Sequence, residues 1–271
     1  MPELPEVETA MRGLEARLVG REITDFVQHR SDLRFPLPPA LPERLVGCRI
    51  LGFRRRAKYI LARLDNDHSL LLHLGMSGRL LFDGDAAGPH EHLTFRFDDG
   101  TTLRYVDPRR FGMLDLVAEA RLDDHPRLAE LGLEPLDSGF GGKALRRVLQ
   151  GRISPIKTAI MNQKLVVGVG NIYACESLFR AALSPQRPAD SLRAGECKRL
   201  ADAVRTVLQA AIAAGGSSLR DYVQTDGELG YFQHHFDVYG RADQPCPICH
   251  DPIRSSVQAN RTTFFCETCQ Q

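Results

Sequence analysis

Four cysteines near the C-terminus constrain this chain more than any other feature. Cys246 and Cys249 form one Cys-x2-Cys knuckle, Cys266 and Cys269 form a second, and sixteen residues separate the pairs. Two knuckles at that separation suit a tetrahedral site of four thiolates around one structural zinc ion. A disulfide framework is the alternative, and it requires an oxidising compartment. Between the knuckles, Ile253–Gln258 and Thr262–Phe265 read as two strands turning at Ala259-Asn260-Arg261. Zinc would staple a hairpin too small to fold alone and hold Arg261 near its tip. With four thiolates the shell is closed, so no position remains for a catalytic water. By itself Arg261 also reads as a solvated turn residue.

The other three cysteines, Cys48, Cys175 and Cys197, lie in apolar or helical surroundings and read as reduced thiols. No apolar run approaches the ~20 residues of a membrane span, and the charged N-terminus lacks a signal-peptide pattern. A cytosolic protein is expected. At 271 residues the chain suits two domains of ordinary size, and 43% hydrophobic content supports real cores. The net charge is +1, falling to −1 once a divalent ion is bound by four thiolates, so a polyanionic partner must be held by local clusters.

The N-terminus carries a second chemical signal, Met1-Pro2-Glu3-Leu4-Pro5-Glu6-Val7-Glu8. Removal of Met1 would leave Pro2 as a free secondary amine able to attack an electrophilic carbon and form an iminium. Terminal amines titrate near ~7.7–8.0 against ~10.4 for lysine, so far more of the amine is neutral at pH 7. Glu3 sets a carboxyl group beside it, where it could shuttle protons. The same residues also read as an ordinary helix start.

Val7, Met11, Leu14 and Leu18 recur at helical spacing, with Gly20 as a stop. Arg49–Leu64, Ser69–Phe82, His92–Phe97 and Thr101–Val117 are rich in β-forming residues, broken by turn signals at Asp65-Asn66-Asp67 and Asp98-Asp99-Gly100. The pattern predicts an α+β protein: an antiparallel β-sandwich with an N-terminal helix over 1–130, a linker over 131–142, a helical domain over 143–236 and the cysteine module over 237–271. Helices are expected at Lys143–Gln150, Pro155–Asn162, Asn171–Ala182 and Glu196–Ala214, with a short one near Leu219–Val223.

Several stretches point toward a polyanion. Arg49, Arg54, Arg55, Arg56, Lys58 and Arg63 occur with no acidic residue among them. On a strand Arg54, Arg56 and Lys58 would share a face, as a polyanion groove or as a charge-guarded edge strand. In Lys164–Asn171 two glycines would let backbone amides approach a phosphate at a helix N-terminus. Met76 in His73–Gly78 and Phe111 in Asp107–Gly112 sit on glycine-flanked turns beside arginine, as base-step wedges do, although core packing is the ordinary role of a single Met or Phe.

Together these stretches, with Arg55-Arg56-Ala57-Lys58-Tyr59, Val167–Ala174 and Gly230-Tyr231-Phe232, resemble the bacterial formamidopyrimidine-DNA glycosylase family over nearly the whole chain. The resemblance implies a β-sandwich and a helix-two-turn-helix domain with a zinc finger, gripping duplex DNA that contains oxidised purines or abasic sites in the cleft between them. It implies a monomer in which Pro2 attacks C1′ of the damaged nucleotide, Glu3 supplies a proton, Lys58 serves β-elimination and Arg261 serves δ-elimination. Met76, Arg109 and Phe111 match residues that fill the void left by a flipped nucleotide. His90, Arg109, Arg152 and Asn171 match DNA contacts, and Gln224–Tyr231 matches a loop that closes over the base. Two other readings remain: an endonuclease VIII-type glycosylase for oxidised pyrimidines, disfavoured by Leu4 and by the Met76/Arg109/Phe111 set, and a non-enzymatic zinc-ribbon binding protein, which would not need Pro2 or Glu3.

Overall fold

A computed structural model describes residues 2–83, 88–217, 225 and 230–271. The chain divides into two compact units: Met1–Ala129 with Ala214–Tyr231, and Glu130–Ala213 with Phe232–Gln271.

The first unit opens with α1 (Leu4–Leu18), which begins three residues earlier than the apolar periodicity predicts. Pro5 is tolerated because the first-turn amides lack intrahelical acceptors. Glu6 accepts the Glu3 backbone N–H at 2.8 Å, satisfying one amide left over at the helix start. Next come β1 (Ile23–Gln28), which the sequence reading did not anticipate, and the short helix α2 (Leu41–Leu45). The run Arg49–Leu64 is a hairpin of β2 (Ile50–Arg56) and β3 (Tyr59–Leu64). Ser69–Phe82 divides into β4 (His68–His73) and β5 (Arg79–Phe82). After β6 (Glu91–Phe97), Thr101–Val117 divides into β7 (Thr102–Val106) and β8 (Met113–Ala118).

These strands form two antiparallel sheets, ordered β1-β6-β7-β5 and β2-β3-β4-β8. Leu93, Phe95 and Phe97 of one sheet and Ile60, Ala62, Leu70 and Leu72 of the other join a single core that α1 closes with Val7, Leu14 and Leu18. This is the expected β-sandwich with its helix. The triplet Leu70-Leu71-Leu72 does not alternate, because β4 is buried on both faces: Leu71, paired with Leu61, is fully covered outside that core.

The second unit holds α3 (Gly142–Leu149), α4 (Ile156–Ile160), α5 (Asn171–Arg180) and α6 (Ala194–Ala213). A Cβ at Gly142 would lie 2.7 Å from the Cα of Lys198, so glycine permits the close approach of α3 to α6. Residues 131–142 pack within this unit. Leu133 bridges Val166, and Arg205 of α6 donates to the Asp137 carbonyl at 3.0 Å. The terminal hairpin pairs β9 (Arg254–Gln258) with β10 (Arg261–Phe265). Its turn is Ala259-Asn260, both left-handed (φ 47° and 60°), so Arg261 is the first residue of β10 and not part of the turn. Left-handed φ at both central residues is what a two-residue hairpin needs. The short helix expected near Leu219–Val223 lies outside the described residues. Among those described, no helix is long and apolar enough to cross a membrane.

Candidate active site and nucleic-acid interface

In the first unit, Pro2 is buried immediately before Glu3, the N-cap of α1, a residue only 4% exposed. One helical turn on, Glu8 accepts a hydrogen bond from Arg55 Nε at 2.8 Å in a largely buried ion pair. That pair clamps the end of β2 to the start of α1. Two residues beyond it the chain turns through Ala57-Lys58, because Arg56 and Tyr59 are already partners. Ala57 adopts a left-handed φ of 54°, a conformation that costs a non-glycine residue roughly 1 kcal/mol. The turn therefore spends stability to place Lys58, which is only 7% exposed. Lys58 does not continue the face of Arg54 and Arg56 as the alternation predicts: β2 ends at Arg56, and exposed Arg54 pairs with Glu119.

Beside Lys58, Tyr59 stands opposite His73, with ring centroids 4.9 Å apart. The Nδ1 of His73 accepts the Gly75 backbone N–H at 3.0 Å, which leaves Nε2 to carry the proton. Burial, then the charges of Lys58, Arg34 and Arg127, lower the His73 pKa to about 4. At neutral pH it is a neutral donor.

His73 lines a cavity of about 550 Å³ with Arg34, Met76, Arg109, Arg110 and Phe111. The three wedge candidates thus meet in one place. Their turns are fixed by Asp107, which is fully buried. Its carboxylate accepts the Ser77 hydroxyl at 2.6 Å and the Gly112 N–H at 2.8 Å, while Ser77 Oγ accepts the Arg109 N–H at 3.1 Å. A Cβ at Gly112 would fall 1.6 Å from the Tyr105 hydroxyl, and one at Gly75 2.3 Å from the Phe111 carbonyl carbon. No side chain fits at either position. So held, Phe111 is 43% exposed, with the Arg109 guanidinium 4.9 Å from its ring centroid. His90 is exposed, and its carbonyl accepts the Asp107 N–H at 2.9 Å.

Of the loop Gln224–Tyr231, only Thr225, Gly230 and Tyr231 lie among the described residues. Its base is anchored to the start of α1: Ser217, which bridges Tyr231, donates from its N–H and its hydroxyl to Glu6 Oε1 at 2.8 and 3.1 Å.

In the second unit, Asn171 opens α5. Its Oδ1 accepts from Lys157 Nζ at 2.6 Å, and its Nδ2 donates to the Thr262 carbonyl at 2.8 Å. Lys157, 1% exposed, also donates to Thr263 Oγ1 at 2.8 Å. The interhelical turn and the terminal hairpin are thereby tied at the residues next to Arg261, which is itself exposed. Arg152 is exposed in the turn after α3.

The Sγ atoms of Cys246, Cys249, Cys266 and Cys269 all lie within 4.8 Å of one another, with Cys246–Cys269 at 3.9 Å and Cys249–Cys266 at 3.4 Å. A tetrahedron with Zn–S bonds of ~2.3 Å has edges of about 3.8 Å, so the four thiols fit a structural metal site. Their hairpin is braced on α5, where fully buried Glu176 accepts the backbone N–H groups of Asp237, Val238 and Tyr239 at 2.9, 3.1 and 2.8 Å.

The sequence reading missed Lys157, Arg34 and Arg110, and did not single out His73 or Asp107. For Lys157 a signal existed: Ile156, Ala159 and Ile160 put the buried face of α4 next to it.

Two family models match, the formamidopyrimidine-DNA glycosylase N-terminal domain over residues 1–114 and the formamidopyrimidine-DNA glycosylase H2TH domain over residues 131–223. The chain belongs to the formamidopyrimidine-DNA glycosylase family. A formamidopyrimidine-DNA glycosylase of Acidiphilium cryptum is 52% identical over 276 residues, covering 100% of both chains. The crystal structure of the MutM (Fpg) protein of Thermus thermophilus superimposes with a TM-score of 0.89 at 42% identity, covering 99% of this chain and 98% of that one. A mutant of the Lactococcus lactis Fpg, crystallised with DNA containing Fapy-dG, superimposes with a TM-score of 0.92 at 34% identity over 100% of both chains.

Proposed function

We propose that this formamidopyrimidine-DNA glycosylase is a bifunctional base-excision enzyme that removes 8-oxoguanine and formamidopyrimidine lesions from duplex DNA and then cuts the strand as an abasic-site lyase. Once Met1 is removed, the Pro2 nitrogen attacks C1′ of the damaged nucleotide, the N-glycosidic bond breaks, and the base leaves with a proton that Glu3 supplies. The resulting iminium acidifies C2′–H. Loss of that proton expels the 3′ phosphate with Lys58 assisting, and a second elimination, assisted by Arg261, expels the 5′ phosphate. Attack at C1′ needs the base out of the stack, at a cost of a few kcal/mol. Met76, Phe111 and Arg109 offset that cost by occupying the vacated space and contacting the orphaned partner base. His90, Arg152 and Asn171 contact the DNA.

The observation that carries this reading is Pro2 itself: a prolyl residue next to a buried glutamate at the capped start of α1, in a chain matched end to end by the family. The four cysteines would hold one zinc ion, which keeps the Arg261 hairpin folded and supplies no reacting group. Thiols of this kind suit the reducing bacterial cytoplasm. The test is borohydride trapping on an 8-oxoguanine duplex followed by peptide mass analysis. A DNA adduct on the N-terminal peptide is expected; turnover with no adduct there would remove Pro2 from the mechanism.

A further inference from the structure

Several arginines of this protein are matched to acids. Arg12 and Arg55 pair with Glu8, Arg49 with Glu22, Arg96 with Asp25 and Arg187 with Glu196. Among those described with no acid within ion-pair distance, two groups each stand close together. Arg34, Arg109 and Arg110 line the cavity shared with Met76 and Phe111. A second group stands on α3, where among the described residues Lys143, Arg146 and Arg147 have no carboxylate partner within ion-pair distance. These three, with Gln150, occupy helical positions i, i+3, i+4 and i+7, a single stripe. They line a groove of about 500 Å³, floored by Leu149, Leu192 and Cys197 and walled opposite by Ala189 and Asp190.

In a chain of net charge +1, that groove holds three cations against one acid, Asp190. Leaving three basic side chains unmatched on one helical stripe is unfavourable through mutual repulsion. A polyanion relieves it. The groove is open and its cations are exposed, so it lacks the enclosed donors that would select a small anion. It is also joined to Arg152, whose carbonyl accepts the Asp190 backbone N–H at 3.0 Å. The eight residues of α3 span about 12 Å, enough to follow roughly three phosphates of one strand.

We propose that the α3 groove is an auxiliary binding site for the phosphate backbone of duplex DNA outside the damaged nucleotide, used whatever the base sequence or lesion. The proposal rests on the DNA-repair reading above and adds a contact to it. Phosphate contacts position a protein without specifying sequence, and each adds to the salt dependence of binding.

The experiment measures binding of undamaged duplexes of increasing length, from roughly one to three helical turns (about 10 to 30 base pairs), as a function of salt. The proteins are zinc-loaded wild type, the double variant Arg146→Gln/Arg147→Gln, and Lys143→Gln as a milder second variant. Excision of 8-oxoguanine by wild type is run alongside, so that a protein inactive on DNA lesions is recognised as a failure of the functional reading. On the longest duplex, the slope of log K against log salt should fall in magnitude by about two in the double variant and about one in Lys143→Gln. The shortest duplex should show a smaller difference. Equal slopes for the folded double variant and wild type at every length would overturn the proposal, as would binding of an acidic protein at the groove with DNA affinity unaltered. Loss of slope at all lengths together with a lowered melting temperature would be misfolding. Lys143→Gln then decides: a loss of about one unit on long duplex at normal melting temperature sustains the site, and no loss refutes it.

Discussion

In the first unit, Met76, Arg109 and Phe111 project from turns whose backbone is pinned by a buried carboxylate above a large apolar core. In the second, Arg261 stands on a hairpin of two five-residue strands whose packed interior is Cys246, Cys266, Ile253 and their few neighbours on α5. Both arrangements present exposed side chains from rigid backbone. The sandwich obtains its rigidity from burial, and the hairpin cannot, because too little apolar surface is available to offset its ordering entropy. The hairpin needs the four cysteines at one end and the Lys157–Asn171 clasp at the other. The residues proposed to act on DNA thus depend on different physics in the two units and can be perturbed separately.

The largest effect is expected from blocking the amine. A protein that keeps an N-terminal extension ahead of Pro2 has an acylated nitrogen with no lone pair to donate, so base release and strand cleavage should both vanish. DNA binding should persist, because the residues proposed to contact DNA on both units are untouched. Normal borohydride trapping by a verified extended protein would return Pro2 to the role of a helix-start residue.

Metal removal should divide the molecule the other way. Structural zinc contributes on the order of 10 kcal/mol to folding of such modules. The chelated protein should lose protection from hydrogen exchange across residues 254–265 and bind lesion duplex at least tenfold more weakly. The sandwich should keep its protection. Equal loss in both units would mean that the hairpin is part of one cooperative fold, and unchanged cleavage would mean that Arg261 is not needed.

Phe111→Ala tests whether the first unit's turns serve base extrusion. Without the ring, the stacking lost on flipping is not replaced, a deficit of about 1–2 kcal/mol or roughly tenfold in rate. Single-turnover excision of 8-oxoguanine should slow by that factor, and cleavage at a pre-formed abasic site much less. Equal fractional losses would assign Phe111 to bending or to the fold.

How much of this was legible in the sequence follows the same division. The hairpin was readable because metal geometry forces the cysteine spacing, and only its turn was displaced, to Ala259-Asn260. The sandwich was readable as a class, but β1 was missed: Ile23 and Phe26 are its only buried residues, and a register shift between Ile23 and Asp25 erases the alternation. Met76, Arg109 and Phe111 could be named from their motifs, whereas Arg34 comes from a segment far away in sequence and joins them only through the fold. Lys157 was passed over for a different reason, although the apolar face of α4 beside it pointed to burial. A lysine on a helix ordinarily reads as solvated, and nothing local announces that Asn171 and Thr263 wait to receive it.

Lys157→Met should therefore loosen the hairpin while leaving the metal in place. The substitution keeps the volume and leaves Asn171 Oδ1 without its lysine donor in a buried setting, a cost of about 1–3 kcal/mol. Exchange protection in β10 should fall although the zinc content of the purified variant stays at one per chain. Loss of zinc in step with protection would show that clasp and metal site are one unit.

The effect expected to be smallest at neutral pH is a pH dependence confined to the first unit. His73 is depressed to about 4 by burial and by Lys58, Arg34 and Arg127, against ~6.5 in an unfolded chain. Between those values the unfolded chain binds more protons than the folded one, so stability rises with pH across the interval. The contribution of a neutral His73 is therefore complete above pH ~6.5 and is lost as the pH falls toward 4. It amounts to on the order of 3 kcal/mol. His73→Gln keeps a hydrogen-bonding side chain that does not titrate, so its urea midpoint should fall less steeply than that of wild type between pH 7 and pH 4.5, and the two curves should run parallel above pH 7. Parallel curves throughout would mean that His73 titrates normally. The cations around it would then be too well screened to hold it neutral, and the cavity that His73 lines would be more open to water than the packing of Tyr59 and Gly75 against His73 implies.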